Sequence, residues 1–509
     1  MSAAPTSFAW FAQHEVSLAW RDFTTMLTGG RRSRAIGVIV AVFIAIALLH
    51  LLALGLVVSW ADQGIGPDKQ TFMMLSGFGL LFGAVMFSQA LESVTRAYYA
   101  RSDLELILSS PASAARLFAV RSAAVAAGTM ALSCLLASPL INALALLDGA
   151  HWLAAYLVLA ALGALVAALA VLVTSGLFAL VGPKRTRFVA QILAAIVGAG
   201  FVVGIQVAAI LHFGSYSRFT LFTAPEIIAS APPVASLVWL PARAAMGDAA
   251  ALMLVIIAGL GALVATVAAS GSSYARLAIA ATTVAGPSAK HRKTTRFRQR
   301  TQMQSLRVKE WRLLARDPWL ISQTLMQLLY LLPPAVLLWV NYGASAGTYV
   351  VVVPVLVMAS GQLAGGLAWL AISGEDAHDL VVTAPISPRQ VLRAKVESVL
   401  SVVGVILLPL LALIAFENPH MALVTAICAA LATGSATAIQ LWFRTVSRRA
   451  LFRRRQTASR VATISEAFVS IMWAGTGALW AAGTVAAIAP AILALLIFGV
   501  ARMMAPKRH

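Results

Sequence analysis

Residues 105–113 read ELILSSPAS, and residues 379–387 read DLVVTAPIS. Each stretch runs from an acidic residue and a leucine, through two aliphatic residues and a hydroxyl residue, to Pro-x-Ser. Each is followed by basic residues and then by a long apolar run. A polar, proline-terminated stretch that recurs between apolar runs predicts a duplicated chain that presents the same surface twice.

The composition predicts a membrane protein. Of the 509 residues, 60% are hydrophobic and only 11% are charged, which is too little charge for the surface of a soluble protein. Many apolar runs reach the roughly 20 residues that a helix needs to cross a bilayer, and none alternates as barrel strands do. The fold class expected is therefore an all-α polytopic membrane protein with about 12 transmembrane helices. The predicted spans are roughly 36–59, 71–95, 118–146, 152–180, 188–213, 250–271, 319–340, 348–372, 396–416, 421–442, 461–483 and 487–503.

The basic residues predict the orientation. If the N-terminus is cytoplasmic and the connections alternate, all but three of the 38 Lys and Arg fall on the cytoplasmic side, the exceptions being Lys69, Arg218 and Arg243. The positive-inside rule therefore predicts a multi-pass protein with both termini in the cytoplasm. The net charge of +20 then faces anionic lipid headgroups, and we expect no nucleic-acid partner. We also expect no cleaved signal peptide.

A second pattern also recurs. Glu15 is followed six residues later by Arg21-Asp22, and Glu310 is followed at the same interval by Arg316-Asp317. Aromatic residues surround both copies, which predicts interfacial helices over 8–23 and 304–319 at the cytoplasmic headgroup layer. An ordinary flank next to a span is the alternative for either copy alone.

Together the two patterns divide the chain into halves. We predict a first transmembrane half at 1–271, a basic cytoplasmic linker at 272–303 and a second transmembrane half at 304–509. Each half has an interfacial helix and six spans, which makes a 6+6 parallel internal repeat. The connection 214–249 is either a partly membrane-seated amphipathic element or a plain exposed loop. Cys134 and Cys428 fall inside spans and are expected to be packing residues rather than a disulfide or a metal pair.

The repeated segments have the residues of a short helix followed by a turn. Ser102-Asp103 or Asp376 is placed to cap the helix, and Pro111 or Pro385 to end it. Ser113 and Ser387 are placed to cap the next helix, with Pro388 in the first turn of the second copy.

This order of interfacial helix, two spans, short acidic-Leu…Pro-x-Ser helix and four spans resembles the permease subunit of ABC-2-type exporters. The stretch from Asp379 to Arg389 is similar to the Asp-Leu-Leu-x-Ser-x-Pro-Ile-Ser-Pro pattern of that family. The resemblance implies that 102–116 and 375–393 are coupling helices that contact an ATPase partner, with secondary contacts at 182–187 and 443–460. The coupling residues it implicates are Asp103, Glu105, Leu106, Ser109, Pro111, Ser113, Arg116, Glu375, Asp376, Asp379, Leu380, Thr383, Pro385, Ser387 and Arg389.

The resemblance also implies the partners. The chain has no Gly-x4-Gly-Lys-[Ser/Thr] stretch, so ATP and Mg are expected in a partner subunit, and no enzyme activity or cofactor is expected here. One fused permease chain would bind two copies of a cytoplasmic ABC ATPase subunit in a bacterial-type inner membrane. It would export a hydrophobic or amphipathic substrate.

Two other classes stay open. An ion-coupled secondary transporter needs ionisable groups deep in the membrane, but His50, Glu92, Arg121, His212, Glu397 and Glu466 all fall near predicted span ends. We expect these side chains to reach the membrane surface rather than to relay protons. A membrane-embedded enzyme is the second alternative, although no His-Glu-x-x-His or Gly-x-Ser-x-Gly motif is present.

Overall fold

The structure is a computed structural model. It describes residues 7–28, 35–61, 65–99, 113–213, 224–283, 300–316, 347–373, 381, 383–443 and 460–505, with a few single positions between 325 and 340. Within these ranges all regular structure is helical. The α-helices are α1 Phe8–Thr28, α2 Ala35–Ala61, α3 Lys69–Tyr99, α4 Ala114–Leu147, α5 Ala154–Val181, α6 Pro183–Phe213, α7 Pro225–Ser230, α8 Leu240–Ala245, α9 Ala249–Thr283, α10 Gln302–Arg316, α11 Gly347–Ser373, α12 Pro388–Glu417, α13 Pro419–Trp442, α14 Arg460–Ala481 and α15 Ile488–Met504.

The prediction of a polytopic membrane protein is confirmed. In the described part of the chain, nine helices are long and apolar enough to cross a membrane, and each coincides with a predicted span. They are Lys69–Ala97, Ala114–Leu147, Ala150–Val181, Arg185–Phe213, Ala249–Gly271, Tyr349–Ile372, Pro388–Glu417, Pro419–Trp442 and Val485–Met504. A helix satisfies its own backbone hydrogen bonds, which is why these apolar runs fold this way.

The other three predicted spans differ in their outcome. The helix α2 covers the first predicted span, and its stretch Ile46–Val58 is apolar. The helix α14 covers the predicted span 461–483, but it is less apolar and is not among the nine. The predicted span 319–340 lies almost entirely outside the described residues.

The chain forms two compact units. The first comprises Met1–Val202 and Phe219–Ser288, and the second comprises Val203–Arg218 and Ala289–His509. In the first unit, α4 packs against α1, α2, α3, α5 and α9, and α5 also packs against α3 and α9. Gly259 of α9 lies so close to α5 that a Cβ there would stand 2.3 Å from the carbonyl oxygen of Ala161. Close approach of small residues is a common way for helices to associate in lipid.

In the second unit the central helix is α11. It packs against α10, α12, α13 and α14, and α14 also packs against α13 and α15. The buried core around it includes Val353, Leu356 and Leu367, and Ile210 of α6 belongs to the same cluster.

Local sequence explains where several helices begin. Gly182 has a φ of 74°, which ends α5, and Pro183 then opens α6. The Asn418 side chain accepts a hydrogen bond from the backbone N–H of Met421 at 3.1 Å, and Pro419 occupies the first turn of α13. The helix α9 continues to Thr283, so the first residues of the predicted linker are helical.

The connection before α9 is packed over its described part, 224–248. Trp239 is buried against Phe72, with ring centroids 6.0 Å apart, and its indole N–H donates to the Pro232 carbonyl. Lys69 Nζ donates to the carbonyl of Ala231 at 2.9 Å. These contacts and the two short helices α7 and α8 favour a structured element over a plain exposed loop.

Candidate partner-docking site

The two repeated segments are described only at their C-terminal ends. Nine of the residues predicted to contact a partner lie outside the described residues, as does Asp317 of the second pattern. These nine are Asp103, Glu105, Leu106, Ser109, Pro111, Glu375, Asp376, Asp379 and Leu380.

The end of the second segment is exposed and ordered by a helix cap. Thr383, Pro385, Ser387 and Arg389 are all exposed. The hydroxyl of Ser387 accepts from the backbone N–H of Gln390, and the Gln390 side chain accepts from the backbone N–H of Ser387, both at 3.3 Å. This reciprocal pair is a capping box, so the predicted cap of α12 is confirmed, with Pro388 in the first turn.

The equivalent end of the first segment lacks that pair. Ser113 occupies the N-cap position of α4 with extended backbone angles, but its side chain makes no capping hydrogen bond. The prediction was therefore right about the position and wrong about the bond. The residue three positions on is Arg116, which is exposed and has no acceptor for the Ser113 N–H, whereas Gln390 has one.

The predicted interfacial helices each bury a glutamate. In α1, Phe11 and Glu15 face inward while Trp10 and Trp20 are exposed. In α10, Leu306, Glu310 and Leu314 form a buried stripe, and Trp311 is exposed on the other side. Arg21 is exposed, whereas nothing is described of the side chains of Asp22 and Arg316.

We call the contact between α1 and α4 the first junction. Arg121 Nε of α4 lies 3.5 Å from Glu15 Oε1 of α1. The Arg121 side chain is 4% exposed and the Glu15 side chain 10% exposed, so the pair is largely removed from solvent. A buried pair of this kind is costly to break from one side, because the remaining charge is left without compensation. The first junction therefore holds α1 in one place on α4.

We call the contact between α10, α11 and α12 the second junction. Lys395 Nζ of α12 lies 3.2 Å from Glu310 Oε1, and Lys309 Nζ lies 3.1 Å from the same oxygen. The Glu310 side chain is fully buried. Lys395 also donates a hydrogen bond to the carbonyl of Ala371, near the C-terminal end of α11. One ammonium group therefore ties three helices together beside the second repeated segment.

The two junctions occupy matching places in the two patterns. Arg121 follows Pro111 by the same number of residues as Lys395 follows Pro385. Glu15 and Glu310 are the acidic residues of the two Glu-x5-Arg-Asp patterns. In the first unit, a buried glutamate and a cation therefore join α1 to α4. In the second unit, a buried glutamate and a cation join α10 to α12.

The second junction also has an outer pair, Arg307 with Glu397, and a second arginine, Arg393, contacts the same carboxylate. Arg307 Nε of α10 lies 2.7 Å from Glu397 Oε2 of α12, and Arg393 Nε lies 2.8 Å from Glu397 Oε1. The hydrogen bond from Arg307 to this carboxylate and the attraction between them raise the pKa of Arg307. The Arg307 side chain is 48% exposed, so this pair is more open to solvent than Glu310 and Lys395.

One sequence expectation about charges is wrong, since Arg121 was expected to reach the membrane surface but is buried against α1. The location of the helices predicted over 8–23 and 304–319 at the headgroup layer stays a prediction, and Glu15 and Glu310 in these helices face neighbouring helices. The roles of Arg121 and Lys395 were missed by sequence reasoning. The signal was available, since both residues stand at the same interval after the proline of their segment.

Glu466 also departs from its expectation. Its residue exposure is 8%, and the Gln440 side chain of α13 donates a hydrogen bond to Oε2. It therefore does not extend to the membrane surface. By contrast Glu92 is 53% exposed and pairs with Arg96 at 2.5 Å, as a residue at a span end is expected to do.

Cys428 is buried in the core of the second unit and Cys134 packs against a smaller buried cluster of the first, which agrees with their prediction as packing residues. The predicted secondary contact 443–460 lies almost wholly outside the described residues, whereas 182–187 forms the start of α6.

No protein-family model, curated protein or solved structure significantly matches this chain.

Proposed function

We propose that this chain is the fused permease subunit of an ATP-driven exporter of the ABC-2 type. In this proposal two six-span halves form a parallel repeat, and the repeated segments dock on two copies of a separate cytoplasmic ATPase. Closure of the ATPase subunits on ATP then moves the segments and switches the pore, so that a hydrophobic or amphipathic cargo leaves the cell. Both termini are cytoplasmic in this arrangement, and the membrane is a bacterial-type inner membrane.

The observation that carries the proposal is the pair of matched junctions. A force applied to a docking segment reaches the spans only if the segment is joined rigidly to them. The helices α4 and α12 begin directly after the two segments, and each holds its interfacial helix through a buried ion pair. The two junctions lie at equivalent sequence positions, which supports the same mechanical role for both repeated segments.

Site-specific cross-linking tests the docking. A photo-activated amino acid at position 389 or 116 should capture a protein that carries a Gly-x4-Gly-Lys-[Ser/Thr] motif, because both residues are exposed beside the segments. The control is position 237, whose leucine is 80% exposed but lies in the connection predicted to be extracytoplasmic. Failure to capture such an ATPase at 389 and 116, or equal capture at 237, would contradict the proposal.

Charge reversal tests the same contact in a functional assay. Asp379→Lys combined with Glu105→Lys should abolish both co-purification of the captured ATPase and ATP-stimulated transport in reconstituted vesicles. Glu226→Lys is the matched control, since Glu226 is an exposed carboxylate of α7 in the connection before α9. If the double reversal behaves like the control, the segments are not the docking surface.

A second function, ion-coupled transport, is favoured by one specific observation. Glu466 is a carboxyl group buried among apolar helices, a feature typical of proton-coupled carriers. Transport that runs without any ATPase, stops when the proton gradient is dissipated and is lost in Glu466→Gln would favour this function. Transport that requires the ATPase and survives loss of the gradient would exclude it.

A further inference from the structure

Three helices of the second unit meet along a line of small and polar residues that we call the polar seam. It is formed by Gly361 and Gly365 of α11, Gln440 of α13, and Glu466 and Ser470 of α14. The two glycines are four residues apart, as are Glu466 and Ser470, so each pair lies on one face of its helix. Gly-x3-Gly faces let two membrane helices approach closely.

The polar side chains of α14 lie directly on the backbone of α11. A Cβ at Gly365 would stand 1.7 Å from Glu466 Oε1, and a Cβ at Gly361 would stand 2.3 Å from Ser470 Oγ. The glycines therefore make the space that the carboxyl and hydroxyl groups fill. On this side of Glu466 the packing leaves no room for a counter-ion.

The seam provides few partners for a charge. Within the described part of the chain, Glu466 has one hydrogen-bond donor, the Gln440 amide, and no ion pair. The hydroxyl of Ser470 is fully buried and has no partner there, and the same holds for the buried hydroxyls of Thr433 and Thr437 on α13. A carboxylate so placed would keep its negative charge in an apolar surrounding with a single neutral hydrogen bond.

Among the described residues of the helices that pack against α14, no cation pairs with Glu466. The helix α11 has no charged residue, and its titratable side chain is Tyr349 near its start. The helix α13 carries Cys428 and, in its first turn, the exposed His420. On α15, Arg502 lies over the Trp442 ring, 5.0 Å from its centroid. Arg460 begins α14 itself, and nothing is described of its side chain.

Burial of a carboxylate without a counter-ion is energetically costly, so such a group takes up a proton instead of keeping its charge. We propose that Glu466 is a protonation site that controls the packing of α11, α13 and α14: the seam accommodates the neutral carboxyl, and loss of its proton drives the helices apart. This inference goes beyond the proposed function and does not depend on it.

The first test is the pH dependence of stability of the full chain in lipid nanodiscs. At low pH the carboxyl is neutral in the folded and unfolded chain, so wild type and Glu466→Gln should be equally stable. Above about pH 4.3, where a free glutamate ionises, the unfolded chain releases its proton and the folded chain retains it. The unfolding equilibrium constant of wild type should then rise relative to Glu466→Gln, by up to about tenfold per pH unit. Equal pH profiles would overturn the proposal.

The second test observes the proton itself. The infrared C=O band of a protonated carboxylic acid should be present in wild type at neutral pH and disappear in Glu466→Gln. It should persist in Glu92→Gln, because Glu92 is an exposed, ion-paired control. A wild-type spectrum without this band at neutral pH would also overturn the proposal.

A matched glycine pair tests the location. Gly365→Ala places a methyl group on the Glu466 carboxyl and should shift or abolish the band, whereas Gly366→Ala places it in open space and should not. If both variants leave the band unchanged, the proton does not reside on a carboxyl seated at Gly365. Because Gly366→Ala adds the same methyl group to the same helix, it controls for a general effect of the substitution.

Discussion

The first and second junctions make the same connection with different chemistry. In the first, an arginine of α4 meets Glu15, with 3.5 Å between Nε and Oε1. In the second, a lysine of α12 meets the fully buried Glu310 at 3.2 Å, and this lysine also bonds the end of α11. Both junctions therefore pair a buried glutamate with a cation. They differ in the type of cation and in the number of helices that the cation contacts.

The sequence explains the outer pair that the first junction lacks. Counted from the shared glutamates and prolines, the positions of Arg307, Arg393 and Glu397 are all alanines in the first half, namely Ala12, Ala119 and Ala123. The buried pair is thus the element that both halves retain, and the exposed pair is an addition in one half. Buried pairs are intolerant of losing one partner, whereas exposed pairs contribute little, which is the physical reason to expect this division.

The largest expected effect comes from removing one glutamate. Glu310→Gln and Glu15→Gln should each lower the free energy of unfolding by about 3 kcal/mol, because a buried cation loses its carboxylate partner. The destabilisation caused by the two substitutions should depend differently on pH. A lysine can release its proton and an arginine cannot, so the cost of Glu310→Gln should shrink at alkaline pH while that of Glu15→Gln stays constant. Denaturation curves at neutral and alkaline pH measure both. Identical pH behaviour of the two variants would contradict the proposed difference between the junctions.

The next largest loss of stability is expected from removing a helix cap. Ser387→Ala should cost about 1 kcal/mol, since it removes the capping box of α12, whereas Ser113→Ala should cost only a few tenths of a kcal/mol. Thermal unfolding of the two single variants gives the comparison directly. A cost for Ser113→Ala as large as that for Ser387→Ala would mean that α4 is capped in the same way as α12.

Acid should act on the first unit through Asp248. Its carboxylate accepts from the backbone N–H groups of Ala251 and Ala250 at 3.1 Å and pairs with Arg243, and these bonds lower the pKa of Asp248. A lowered pKa means that the stabilisation is complete above the ordinary Asp range, about 3.9, and is lost as pH falls through the folded-state value. The helix α15 of the second unit begins without a side-chain cap.

Once corrected for the intrinsic pH dependence of exchange, the protection of the Ala250 and Ala251 amides should therefore fall in acid, while protection at the start of α15 should show no such step. Asp248→Asn should remove the acid step. Acid sensitivity that persists in Asp248→Asn would assign it to another group.

The smallest effect is expected from the exposed pair. Arg307→Ala should lower stability slightly, and the loss should vanish at high salt because the pair is screened. The double substitution Ala12→Arg with Ala123→Glu should build the missing pair in the first junction, since both alanines are exposed. Its stabilisation should also vanish at high salt. A gain that is unaffected by salt would point to packing rather than to charge.

Much of the fold was predictable because it depends on local properties of the chain. Nine predicted spans appear as helices, since an apolar run in lipid has no other way to satisfy its backbone. The cap at Ser387 was predictable for the same reason, because both of its partners lie within one turn. At Ser113 the predicted position was right, but the serine side chain makes no capping hydrogen bond, and Arg116 has no acceptor for the reciprocal bond that Gln390 makes to Ser387.

The candidate site was predictable only in part. The repeated segments and Glu-x5-Arg-Asp patterns located Glu15, Glu310 and the two prolines, but not the cations that the glutamates meet. Arg121 is far from Glu15 in sequence, and only the packing of α4 on α1 brings them together. The same is true of Glu466, which hydropathy places near a span end and which packing buries against Gly365.

The sequence by itself determined that the chain is helical, crosses a membrane many times and repeats two polar patterns, because composition, run length and spacing are properties of the chain alone. Tertiary structure decided which charges are hidden and what they meet. Burial depends on which helix faces which, and that is set by contacts between residues distant in sequence. A glutamate at a headgroup and a glutamate in a buried ion pair look alike in sequence, and the neighbouring helix makes the difference.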